Sequence, residues 1–126
     1  MSDYILDTDV MVDILREVPA ALLWFGSLPD NPSVSCFTAL ELLSGSRDMR
    51  EYNLVDKMLV DFSVLYPAMS DMEAAVFQFS PLSLSQGIGD MDLLIAATAI
   101  GHNMTLVSKN LKHFKHVPGL SVFRPY

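Results

Sequence analysis

Three aspartates, Asp7, Asp9 and Asp13, crowd the stretch YILDTDVMVD directly behind a short apolar run. Two carboxylates about 4 Å apart repel by on the order of 4 kcal/mol at an effective dielectric of ~20, so the grouping calls for a cause. Either the acids spread around a helix start, or they collect a cation. Further polar residues follow other apolar runs: Thr38 and Glu41 behind VSCF, and Ser108 and Asn110 behind TLV. Asp90 and Asp92 open the apolar segment that leads back to TLV. Asp7, Glu41 and Asp92, with Asp90 near, form a hard oxygen donor set without cysteine or evident histidine. Such a set suits Mg2+ or Mn2+, which keep several waters and share their coordination with substrate phosphates.

The elements that must position these side chains are legible as an alternation. Short runs rich in Val, Ile, Leu, Phe and Tyr at 4–6, 34–37, 62–65, 104–107 and 120–123 read as buried strands. Helices are expected at 9–16, 20–28, 39–44, 49–60, 72–79 and 91–100, with Pro19 and Pro29 bracketing the second and Gly101 ending the last in a left-handed residue. Strands alternating with helices specify an α/β fold, a mostly parallel sheet of about five strands with helices on both faces. Pro118 and Gly119 turn the chain into a final edge strand. In such sheets ligands bind beyond the carboxyl ends of the strands, which is where Asp7, Glu41 and Asn110 fall. The place of Asp90 and Asp92 on that edge depends on how the crossover packs.

Each acid also has a purely local use. Asp9 and Asp13 suit the first helix, and Asp90 suits an N-cap with Asp92 in the first turn behind it. Thr38 and Glu41 fit a capping box, as do Ser70 and Glu73. Asn110 suits a turn. Local uses do not explain why so many caps would share one edge of the sheet. In LLIAATAI the apolar residues run all the way round, as befits a helix pressed onto a sheet with Ala96 and Ala97 allowing close approach. ALLWFGSL, with Trp24 and Phe25, suits either core or a partner surface.

At 126 residues and 51% hydrophobic, the chain reads as a single domain over 1–126, able to bury roughly two thirds of its unfolded surface. No apolar stretch nears the ~20 residues of a membrane span, and lone Cys36 excludes an internal disulfide and suits packing in a reducing cytoplasm. A formal net charge of −7 argues against holding nucleic acid by a general basic surface, but not through metal ions. The basic residues gather at Lys109, Lys112 and Lys115, among His113 and His116, and at Arg47 and Arg50. A solvated surface turn is the plain reading of the lysine run.

With these residues in hand, the pattern resembles the PIN-domain ribonucleases, in particular the VapC-type toxins of bacterial toxin–antitoxin pairs. DTDVMVD resembles their first motif. SCFTALELLSG resembles the second, with Thr38, Glu41 and Gly45 in place, and IGDMDLLIAATAIGHNMTLVSKNLKHF resembles the third and fourth together. The resemblance spans residues 3 to about 124, closing on VPGLSVF. It implies a single PIN-like domain in which Asp7, Glu41 and Asp92 form the acidic, metal-binding core and Asp90 is a fourth carboxylate. Asn110 matches a position that is Asp in some members and would orient water or phosphate. Ser108 stands where Thr is usual, and Asp9 where Asn or Ser is common. The resemblance further implies an endoribonuclease using Mg2+ (or Mn2+), a homodimer, and a cognate antitoxin protein as partner.

The residues and the resemblance together lead to hydrolysis of RNA phosphodiester bonds by metal-activated water, with Lys109, Lys112, Arg47 and Arg50 as candidate contacts to the RNA backbone. Two other readings fit parts of the chain. DTDVM also fits the start of haloacid-dehalogenase-like phosphatases, with Asp7 as nucleophile and Asp9 as acid/base. That order of motifs would place a lysine before or close to GD rather than at Lys109, and it leaves Glu41 without a role. A non-catalytic PIN-like binding module would instead offer the same acids to a basic partner segment.

Overall fold

In the computed structural model, which describes residues 2–126, five three- or two-residue strands carry the sheet. They are β1 (Tyr4–Leu6), β2 (Ser33–Ser35), β3 (Ser63–Leu65), β4 (Thr105–Val107) and β5 (Val122–Phe123). All pair in parallel, in the order β3-β2-β1-β4-β5, so β5 is the expected edge strand. Side chains alternate across the pleat. Ile5 and Leu106 enter one core layer, while Leu6, Val34 and Val107 enter the other.

The helices on the Leu6 side are α1 (Thr8–Leu15), α2 (Pro19–Gly26), α3 (Cys36–Ser44) and α4 (Met49–Leu59), and they contribute Val10, Met11, Ala21, Leu42 and Val55 to that layer. The Ile5 side is covered by α5 (Met69–Ala74), α6 (Pro81–Gln86), α7 (Asp90–Gly101) and α8 (Leu111–Phe114). A single π turn, Ala75–Phe79, continues α5 and buries Ala75 and Phe79. On α7, Ile95, Ala96, Ala97 and Ala99 are all buried, the small side chains letting the helix lie close against the strands. Trp24 and Phe25 of α2 pack partly into the core, where Phe25 stacks on Phe62 at 5.5 Å, whereas Leu23 faces outward. The core reading of ALLWFGSL therefore holds for Trp24 and Phe25.

Several expected boundaries move. Strand β2 stops at Ser35, and Cys36 and Phe37 already belong to α3, because the Ser35 hydroxyl accepts from the Thr38 amide and starts the helix three residues earlier than Thr38 would. The box proposed for Thr38 and Glu41 accordingly does not form. The one proposed at Ser70 shifts to Ala68, whose amide donates to Asp71 Oδ2 at 2.8 Å. Gly101 lies inside α7 and has no left-handed role, which Asn103 takes at φ 54°. Gly101 instead makes room for the Asp71 side chain, which a β-carbon there would strike. Helices α6 and α8 lie in segments where no helix is expected from the sequence. The lysine run is not a plain solvated turn, since Phe114 of α8 is fully buried.

The chain lays strands outward from β1 on one side, then returns to place β4 on its other side. Ligand crevices in open parallel sheets form at this reversal, beyond the carboxyl ends of the two strands. Leu6 is in register with Val107, so the next residue of each strand, Asp7 and Ser108, meet at that crevice.

Candidate active site

Asp7 leaves β1 in extended conformation and caps α1 itself, a place expected for Asp9. Its Oδ1 accepts from the Thr8 amide at 2.8 Å, and its Oδ2 accepts from Ser108 Oγ at 2.7 Å. The side chain is buried, with 5% exposure. Burial, then the field of Asp9 and more weakly that of Asp92, push its carboxyl up to about 7 against those two hydrogen bonds.

Asp9 also titrates above the ordinary carboxylate range, chiefly through burial. Its Oδ2 accepts from the Lys109 amide at 3.0 Å, but Oδ1 is buried with no hydrogen-bond partner. Asp92, the third residue of α7, is likewise raised, first by burial, then by Glu41, with Asp9 adding and His113 opposing. A helix N-terminus favours negative charge, and here burial and like charge outweigh it. Asp7, Asp9, Glu41 and Asp92 thus stand in one another's field, brought from three segments far apart in sequence. Asp90 begins α7 on the exposed side and is not among the groups acting on Asp92.

Glu41 is held from outside its own helix. Ser35 Oγ donates to Thr38 Oγ1 at 3.4 Å, Thr38 meets Thr8 Oγ1 at 3.0 Å, and Thr8 donates to Glu41 Oε1 at 2.9 Å. With Thr38 donating to Thr8, each of the threonine hydroxyls gives one bond and takes one, so the row fixes the carboxylate without an unpaired group. Thr8 went unnoticed as a site residue in the sequence, since it stands between two acids that draw the eye.

On the other wall, the Asn110 amide donates to Ser108 Oγ at 3.0 Å, and its side chain lies 3.0 Å from His113 Nδ1 at the start of α8. Lys109, one of the candidate RNA contacts, is paired within the fold. Its ammonium is 2.6 Å from Asp13, whose other donor is the Tyr126 hydroxyl at 2.7 Å. Asp13 therefore serves this pair rather than the helix, and both donors hold its carboxyl low against the effect of burial. Arg47 and Arg50 are exposed on or beside α4, Arg47 bound to Glu51 at 2.9 Å, and Lys112 is exposed on α8. A cleft of ≈ 620 Å³ opens beside Thr8 and Glu41, floored by Val12, Leu15 and Leu42 and rimmed by Arg16 and Arg47.

Among the described residues no three His, Cys, Asp or Glu side chains stand together as a group able to hold a metal ion by themselves. Mg2+ does not require such a group, as it can bind directly through one or two carboxylates and complete its shell with waters and substrate phosphate. The donor set fits it. Mutually repelling carboxylates with raised proton affinity, one with a buried oxygen lacking any donor, are groups that a cation would relieve.

Residues 4–120 match the family model of the PIN domain. The chain belongs to the PIN-domain family. Two VapC ribonucleases match it over nearly its full length. It is 32% identical over 122 residues to ribonuclease VapC19 of Mycobacterium tuberculosis, covering 92% of this chain and 95% of that protein. It is 27% identical to ribonuclease VapC1 of Methanocaldococcus jannaschii, over 97% of this chain and 88% of the other. Among solved structures, VapBC2 from Rickettsia felis bound to a promoter DNA fragment matches with a TM-score of 0.78 and 25% identity, over 96% of this chain and 97% of that one. DNA-bound VapBC from Salmonella typhimurium matches at 0.86 over the whole of both chains, and at 20% identity this likeness speaks for the PIN fold alone.

Proposed function

We infer that this chain is a VapC-type endoribonuclease, the toxin of a toxin–antitoxin pair, and that it cuts RNA at the carboxyl ends of β1 and β4. Full-length kinship with proteins named as VapC ribonucleases supports the activity. The observation that carries the site is a buried Asp7 in the field of the half-buried Asp9 and Asp92, with Glu41 acting on Asp92.

Asp7, Glu41 and Asp92 are the proposed ligands of Mg2+ or Mn2+, which when bound would lower the pKa of a water and offset charge at the scissile phosphate. Ser108 orients Asp7, and Thr8 orients Glu41. Asn110, tied to His113, is placed to orient water or phosphate, while Asp90 contributes charge at the rim. Arg47, Arg50 and Lys112 are the proposed contacts to the RNA backbone, with Lys109 reserved for the scaffold. The structural neighbours described as VapBC or toxin–antitoxin complexes support a cognate antitoxin partner for this chain as well. A homodimer and a cytoplasmic location complete the reading, and among the described residues no helix is long and apolar enough to cross a membrane.

The test is incubation of the purified chain with cellular RNA in Mg2+, in Mn2+ and in chelator. Discrete products only with metal are expected, and because water rather than the ribose 2′-hydroxyl attacks, none should end in a 2′,3′-cyclic phosphate. Cyclic ends, or equal cutting in chelator, would overturn the reading.

A further inference from the structure

The loop after β4 holds two acids through two successive residues: Ser108 Oγ donates to Asp7, and the Lys109 amide donates to Asp9. A loop following a three-residue strand has little of its own to keep it in place, so what fixes it matters to both carboxylates. The segment after β5 does so. Arg124 Nη1 donates to the Lys109 carbonyl at 2.8 Å. Tyr126 donates its hydroxyl to the same Asp13 oxygen, Oδ2, that the Lys109 ammonium reaches, and its ring lies 6.0 Å from that ammonium. The Asp13 side chain is 14% exposed and that of Lys109 33%, so the pair is partly withdrawn from solvent screening. Residue 109 is thereby held at its ammonium, its carbonyl and its amide, and the amide is the point that touches the acid cluster.

We propose that Arg124 and Tyr126 form a clasp that positions Asp9 and Asp7 for cation binding, acting through Lys109. Pinning Oδ2 of Asp9 on the Lys109 amide sets the rotamer that leaves the buried Oδ1 unpaired in the field of Asp7 and Asp92. Asp9 then joins the cation-facing carboxylates rather than serving α1. Both are positioning residues, acting on Asp7 and Asp9 only through residue 109 and its loop. The proposal rests on the metal-dependent reading above.

The experiment uses the full chain, Tyr126→Phe, which keeps the ring over Lys109, and Tyr126→Phe combined with Arg124→Ala. Amide hydrogen exchange at residues 108–110, Mn2+ titration, and RNA cleavage across Mn2+ concentrations are read on each. Expected are a roughly tenfold faster exchange at Lys109 in the double variant, with β1 and β4 amides unchanged, and a Mn2+ affinity weakened about tenfold, the scale of one charge-assisted hydrogen bond. Cleavage should fall at limiting Mn2+, return at high Mn2+, and show an unaltered KM for RNA. Unchanged exchange at Lys109, a uniform rise through the sheet, or unchanged Mn2+ affinity despite faster exchange would each overturn the clasp. Failure of the unaltered chain to take up Mn2+ would remove the metal reading itself and the clasp's purpose with it, and is read in a separate sample.

Discussion

Asp7 sits where a carboxylate is costly to keep charged, and its proton affinity records that. Its carboxyl titrates near 3.8 in the unfolded chain and at about 7 in the fold. Between those values the folded chain holds a proton that the unfolded chain has lost, so this contribution to stability is complete at low pH and drains away as pH rises through about 7. The full span is worth no more than about 4 kcal/mol. Asp7→Asn removes the titration but can accept only one of the two hydrogen bonds. In chelator at pH 8 it should therefore melt a few degrees above the unaltered chain, and at pH 4 it should have no advantage. Calorimetry across that range checks the sign. Mn2+ should raise the melting point of the unaltered chain and leave Asp7→Asn nearly unmoved. Thr8→Val takes the donor from Glu41 Oε1 and the acceptor from the buried Thr38 hydroxyl, so cleavage should drop roughly tenfold and the melting point should fall by a few degrees.

At the scale of elements, helix α7 shows what contact rather than propensity decides. Gly101→Ala should destabilise the fold by about 1–3 kcal/mol, because the new β-carbon meets the Asp71 carboxylate that caps α5. Combining it with Asp71→Ala should recover part of the loss, measurable by urea denaturation. The five strands and six of the helices were legible in the chain from apolar runs and proline punctuation, as was the sheet edge that gathers Asp7, Glu41 and Ser108. What was not legible depended on partners distant in sequence. Glu41 looked like half of a capping box because Thr8, its true partner, lies on another helix. Asp13 looked like a helix residue because Lys109 and Tyr126 approach it only once β4 and β5 are in place. Helices α6 and α8 are too short for a period to declare itself in the sequence.

The whole molecule carries a net charge of −7, and a site of repelling acids lies inside that field. A substrate as anionic as RNA then depends on the cations at the site and on a few exposed bases. With Arg47, Arg50 and Lys112 as its contacts, the logarithm of RNA affinity should fall against that of salt with a slope of about −2, measurable by fluorescence anisotropy of a labelled strand. A much steeper slope would mean a basic surface that the exposed bases named here do not make. The most direct test of the account is single-turnover cleavage of a mapped RNA substrate in saturating Mn2+ by the unaltered chain, Asp7→Asn and Asp92→Asn. The account predicts cutting by the first and none by either variant, although both remain folded and Asp7→Asn gains stability. Cleavage by a folded Asp7→Asn or Asp92→Asn at the rate of the unaltered chain would contradict it.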